Sequence, residues 1–206
     1  MSELDFNNID GLHLDILKEI GNIGAGNATT ALSQLINRRI DMGMPEVNVL
    51  EFKDLSEVLG GAENPIVGIL IGVEGEINGM MMFVLEQTSA HNLVNMLMGR
   101  DMESFEDFTE MDLSALKEIG NIIIGAYLSS LSSLTNLRIA ATIPYMSIDM
   151  AGAILSVPAI EFGKIGDRAL LIQSDFGGEL ERVFGYFILI PDLESYSVIL
   201  KSLGIV

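Results

Sequence analysis

Leu14 to Ile23 reads LDILKEIGNI, and Leu113 to Ile122 reads LSALKEIGNI. The offset of 99 residues runs on without a gap to Pro45 and Pro144, keeping Leu32/Leu131, Leu35/Leu134, Asn37/Asn136, Arg39/Arg138 and Ile40/Ile139. A stretch written twice in one chain is a duplicated unit, and the two copies should fold alike. At 206 residues the chain suits one core shared by two halves, residues 10–99 and 109–206, better than two free domains.

Around the repeat, the pattern predicts each element in turn. Asp10 reads as a helix N-cap, and an apolar periodicity starts at Leu12. At about 100° per residue, Ile16, Leu17, Ile20, Gly24, Ala28, Ala31 and Leu35 share one face, and Asp15, Glu19, Asn22, Gly26 and Ser33 share the opposite one. This predicts a long amphipathic helix ending near Asn37. Gly21, Gly24, Ala25, Ala28 and Ala31 keep its inner side small enough for another backbone to approach. Residues 39–52 then read as a strand, with Val47 and Val49 at period two. Residues 53–59 read as a short helix closed by Gly60 and Gly61, and residues 65–73 and 80–85 as a hairpin around EGEING. A helix from Thr88 to Met98 stops at Gly99.

The second half repeats this order. Thr109 and Asp112 signal a helix start, and the second long helix runs to about Leu137. A strand follows near 140–148, then the small-residue segment DMAGAIL (149–155). Strand candidates come at 156–162, 170–176 and 183–190, before a last helix at 194–203. The acidic, aperiodic stretch RDMESFEDF (100–108) links the halves. Connections this short favour antiparallel pairing. The prediction is a single α+β domain with internal pseudo-two-fold symmetry, each half a long motif helix, antiparallel strands and two further helices.

Composition narrows the chemistry. A net charge of -18 argues against nucleic acid and against anionic membrane surfaces, and would steer a partner protein carrying a basic patch. No run of about 18 residues is purely apolar, and no signal peptide or lipidation motif is evident, so the expectation is a cytoplasmic protein without a membrane segment. There is no cysteine, and the two histidines, His13 and His91, are not matched between the halves. Thiol or Ser-His-Asp catalysis and Cys/His zinc sites therefore have little material. Met80, Met81, Met82 and His91 read as core filler and a surface helix position rather than ligands.

Glu19 with Asn22, and Glu118 with Asn121, stand at i and i+3 on the outer face of the two long helices. Asp15 and Ser114 lie one turn earlier, and Gly26 and Gly125 one turn later. A solvated polar face is the plain alternative. Against it, Asn and Gly are poor helix formers, so an ordinary exposed face would favour Ala, Glu or Lys. The copies also agree at Asn22/Asn121 while Asn27 becomes Ala126 and Thr29 becomes Leu128. An amide has no useful pKa and can only hold a water, which suits a reaction whose electrophile and metal come from another protein.

The pattern [DS]-x-x-x-E-x-x-N, present as Asp15/Glu19/Asn22 and Ser114/Glu118/Asn121, resembles the signature of the CheC, CheX and FliY family of chemotaxis response-regulator phosphatases. Two complete copies in a chain of this length, without a FliN-like tail, resemble its CheC members. The resemblance implies hydrolysis of the aspartyl phosphate on phosphorylated CheY. Asn22 and Asn121 would orient the attacking water, and Glu19 and Glu118 would pair with the regulator's Lys. Asp15 and Ser114 would support them. No metal or cofactor of the chain's own is implied, because Mg²⁺ belongs to the regulator.

The resemblance also implies binding of the receptor deamidase CheD, for which DMAGAIL with Asp149 is the expected docking surface; a short packed helix is the plain alternative. The expected state is a monomer. A FliM-like switch component or non-catalytic adaptor for CheY or CheD is the competing reading. GNIGAGNAT as a phosphate loop fails for lack of the required glycine spacing and a following Lys.

Overall fold

The computed structural model describes residues 11–37, 39–101, 106–162, 168–178 and 181–204, so the expected cap at Asp10 lies outside the described residues. The first half runs α1 (Gly11–Ile36), β1 (Asp41–Met42), β2 (Glu46–Glu51), a 3₁₀ turn (Phe52–Asp54), α2 (Leu55–Val58), β3 (Pro65–Gly75), β4 (Gly79–Glu86) and α3 (Gln87–Met98). The second runs α4 (Glu110–Thr135), β5 (Ile139–Ala141), β6 (Tyr145–Met150), α5 (Ala151–Phe162), β7 (Arg168–Gly178), β8 (Glu181–Pro191) and α6 (Leu193–Ser202). The fold is α+β, as the pattern predicted.

Local chemistry explains the boundaries. Both long helices end on an asparagine in the left-handed region, Asn37 at φ 52° and Asn136 at φ 55°, a conformation Asn tolerates better than most residues. Thr109 and Asp112 form a reciprocal capping box that starts α4. Asp192 caps α6 by accepting from the Ser195 amide at 2.8 Å. α3 closes on Gly99 at φ 63°.

All pairings are antiparallel. β3 and β4 form one hairpin, β7 and β8 the other, and β4 lies against β8 at the centre of the sheet. β1 and β2 then pair with β7, whereas β5 and β6 pair with β3. Each half thus supplies the edge strands for the other half's hairpin, and the two halves close one sheet.

Helices cover both faces. Leu17, Ile20 and Leu32 of α1, Ile119 and Ile123 of α4, Leu93 of α3 and Ile199 of α6 bury one face with Ile69, Ile71 and Phe83. Leu55 of α2 and Leu59 just after it, with Ile154 and Leu155 of α5, bury the other with Leu70, Met82 and Ile188. That is why β3 and β4 read as near-continuous apolar runs instead of alternating. Met80, Met81 and Met82 are core, as expected.

Three expectations need correction. Residues 156–162 are not a strand but the continuation of α5, which carries Pro158 inside it. Ile154, Leu155 and Val157 pack on the sheet from a helix, and that burial outweighs the proline and the short apolar run that imitates a strand. Leu35, placed on the inner face, is 39% exposed, and at this end of α1 it is Leu32 and Ile36 that turn to the core. His91 is half-buried rather than on the surface, stacked on Phe108 with ring centroids 4.0 Å apart. Burial pushes its imidazole below the ordinary value, while Asp112 and Asp107 oppose that.

Candidate functional site

The two motif helices pack against each other over the sheet. Gly24 makes room for the Tyr127 ring, and Asn27 Nδ2 donates to Ser130 Oγ at 3.0 Å across the pair. A Cβ on Gly21 would lie 2.6 Å from Val47, and one on Gly120 would lie 2.6 Å from Ile69. The small inner residues therefore do what the sequence implied, letting each helix sit close to the sheet or to its twin.

Seating the inner face fixes the outer one. Asp15, Glu19, Asn22 and Gly26 are all exposed on α1; Ser114 and Glu118 are exposed and Asn121 and Gly125 half-exposed on α4. Within an unbroken helix, Glu19 and Asn22 lie one turn apart on one side, as do Glu118 and Asn121. None of these four side chains has a hydrogen-bond or ion-pair partner among the described residues. Asp15 instead meets Lys18 at 3.6 Å, an exposed pair of little energetic weight. A Cβ on Gly26 or on Gly125 would meet nothing within 4 Å, in contrast to Gly21, Gly24 and Gly120. The outer faces are open where the inner faces are filled.

Around the first motif the openness extends into a groove of about 780 Å³ that reaches from Asn22 along α1 to Asn37 and Arg39. Its one trace in the sequence is the identity of Asn37/Asn136 and Arg39/Arg138 between the copies. The start of α4 is anchored by Arg100, whose guanidinium meets buried Asp112 at 2.8 Å. That guanidinium holds the Asp112 carboxyl below the usual carboxylate range, although burial alone would raise it.

Asp149 lies on neither motif helix. It is exposed on the edge strand β6, its Oδ1 accepting from the Met150 amide at 2.7 Å. Of the DMAGAIL segment, Ala151, Ile154 and Leu155 are buried, and the amides of Ala151 and Gly152 donate to the Asn64 and Ala62 carbonyls at 2.9 Å. Among the described residues, no three His, Asp or Glu side chains converge as a metal site would require, and no helix is long and apolar enough to cross a membrane.

Chemically, each motif offers a carboxylate and an amide on a rigid convex rod, with space beside them. Such a rod can enter a cleft on another protein. Residues 12–49 match the CheC-like family, and residues 67–160 match the chemotaxis phosphatase CheX family. The chain is 35% identical to the CheY-P phosphatase CheC of Bacillus subtilis (strain 168) over 97% of both chains. In structure it resembles Thermotoga maritima FliY, with a TM-score of 0.75 and 21% identity, covering 96% of this chain and 98% of that one. It also resembles a chain of the FliG-FliM complex from H. pylori, with a TM-score of 0.71 and 11% identity, covering 94% of this chain and all of that one. These last two likenesses concern the fold alone. The chain belongs to the CheC-like family.

Proposed function

We propose that this member of the CheC-like family hydrolyses the aspartyl phosphate of phosphorylated CheY, with Glu19/Asn22 and Glu118/Asn121 as its two catalytic pairs. The observation that carries the reading is that all four side chains point outward without partners of their own among the described residues, beside glycines that leave the approach open. The 35% identity to a CheY-P phosphatase supports the substrate.

The roles follow from what each group can do. Asn22 and Asn121 cannot take a proton near neutral pH, so they act by holding a water through the amide and aiming it in line with the phosphorus. Glu19 and Glu118 pair with a lysine of the regulator and fix the depth of entry. Asp15 and Ser114 support the motif from the preceding turn. The Mg²⁺ that neutralises the phosphoryl oxygens comes with the regulator and needs no ligand from this chain. A monomer suffices, because one chain carries both pairs.

CheD binding is the second part of the reading. Asp149 and Met150 are the exposed members of DMAGAIL, next to the exposed Ile148, and they form its docking point while Ala151, Ile154 and Leu155 hold the segment in place. Asp149→Lys should weaken the complex in a pull-down with the far-UV circular dichroism unchanged; unaltered binding removes Asp149 from the interface.

The deciding experiment follows the decay of radiolabelled phospho-CheY alone, with this protein, and with Asn22→Ala/Asn121→Ala. Accelerated decay that the double variant abolishes at saturating concentration is the expected result. Binding without acceleration would make the chain an adaptor in a phosphatase fold, the role expected of a FliM-like component.

A further inference from the structure

Each motif turn brings its backbone down on a side chain of the sheet. Glu19 and Asn22 are exposed, and between them Ile20 and Gly21 are buried. A Cβ on Gly21 would lie 2.6 Å from Val47 Cγ2, with Ile172 Cγ2 next at 3.7 Å. A Cβ on Gly120, the residue before Asn121, would lie 2.6 Å from Ile69 Cδ1 and 2.8 Å from its Cγ2. Val47 and Ile69 are themselves buried in the core.

The two copies do not rest on equivalent residues. The repeat partner of Val47 is Met146, yet the three atoms nearest a Cβ on Gly120 all belong to Ile69. The first seat lies on β2, which pairs with β7, and the second on β3, which pairs with β4. A change under one motif therefore leaves the seat of the other in place.

The first motif turn is held at both ends. Leu17 and Ile20 are buried before Gly21; after it, Gly24 faces the Tyr127 ring and Asn27 Nδ2 donates to Ser130 Oγ at 3.0 Å. Carbon atoms in contact lie about 3.5–4.0 Å apart, so a methyl group on residue 21 must push helix and strand apart by about 1 Å. With α1 held on either side, that displacement falls on the turn that carries Glu19 and Asn22. A misplacement of about 1 Å can cost on the order of a hundredfold in rate. We infer that Val47 and Ile69 are positioning residues: by filling the place of the missing Cβ on Gly21 and Gly120, they set how Glu19/Asn22 and Glu118/Asn121 are held. This rests on the proposed phosphatase reading and adds to it the residues that aim each pair.

The test uses the full chain in the Asn121→Ala background, where the first pair acts alone. For Gly21→Ala, Val47→Ala and the two combined, kcat and KM for phospho-CheY are measured, with urea midpoints beside them. Gly21→Ala should lower kcat about tenfold or more with KM within about twofold of the parent. Val47→Ala should lower kcat about two- to fivefold by leaving a gap under the turn. The combined variant should recover most of both losses, because without Val47 Cγ2 the nearest atom to the new methyl group stands at 3.7 Å. In the Asn22→Ala background, Gly21→Ala should leave kcat of the second pair within about twofold. An unchanged kcat beside a lowered urea midpoint, a combined variant no faster than the slower single one, or an equal loss in both backgrounds would overturn the positioning role while leaving the phosphatase reading intact. If Gly21→Ala fails to fold, the loss in Val47→Ala and its recovery in the combined variant carry the test. Absence of hydrolysis by the unmutated chain would overturn both.

Discussion

Gly24 of the first motif helix lies so close to Tyr127 of the second that a Cβ at residue 24 would overlap the edge of the ring. Tyr127 in turn stacks on Phe187 of the central strand pair, ring centroids 4.5 Å apart, and its burial pushes the phenol up to about 12. One missing side chain thus sets how α1 and α4 lie on each other, and through them how both outer faces are presented.

Substitution at two glycines of α1 should therefore have opposite consequences. Gly24→Ala forces the Tyr127 ring aside and should cost about 1–3 kcal/mol, as overpacked cores do. Gly26→Ala, where a Cβ meets open space, should gain up to about 1 kcal/mol of helix propensity. Urea denaturation of the two variants beside the parent decides it, and equal shifts would contradict the packing described.

Phe83 and Phe187 sit directly opposite in the β4–β8 register, both fully buried, with rings stacked at 4.7 Å. Phe83→Ala opens a cavity where the two halves of the sheet meet. The expected loss is about 3–5 kcal/mol. A urea midpoint near that of the parent would mean that the central pair holds less of the core than its burial implies.

The Arg100–Asp112 pair makes a pH-dependent prediction. The folded Asp112 carboxyl lies below its ordinary value of 3.8, so its stabilising contribution is present above that value and fades as pH falls through the folded pKa. Arg100→Ala should lower stability by about 1–3 kcal/mol at neutral pH, the scale of a hydrogen bond to a charged group. The gap between the two proteins should close at acid pH below 3.8, where the parent loses the same contribution. Melting temperatures across pH 2–7 would show this; a gap that stays constant would assign Arg100 a purely steric role.

The two motifs should be separable in activity. Asn22→Ala should leave the hydrolysis supplied by the second pair, and Asn121→Ala that of the first, with rates that sum to the parent's. Phospho-CheY decay with each single variant reads this directly. A single variant as inactive as the double would show that the pairs act together.

Much of this was legible in the sequence because it is local. The repeat, the helix ends at Asn37 and Asn136, the capping box at Thr109 and Asp112 and both hairpins all follow from short-range pattern. So does the outward position of Glu19, Asn22, Glu118 and Asn121, since helical periodicity alone puts them opposite the apolar face. The miss at residues 156–162 has the same origin, because a short apolar run has no period long enough to separate a strand from a buried helix.

By itself, then, the sequence determined most of the elements, though not the helix at 156–162, and which face of each motif helix stays in water. Only the tertiary structure decided that β2 crosses to β7 and β6 to β3, that Gly24 receives Tyr127, and that a groove continues from Asn22 to Arg39. A strand's pattern tells which of its faces is apolar but not which strand will cover its edge. That choice is made when two apolar hairpins and the helices that cover them close on one another, and it depends on shapes brought together from distant parts of the chain.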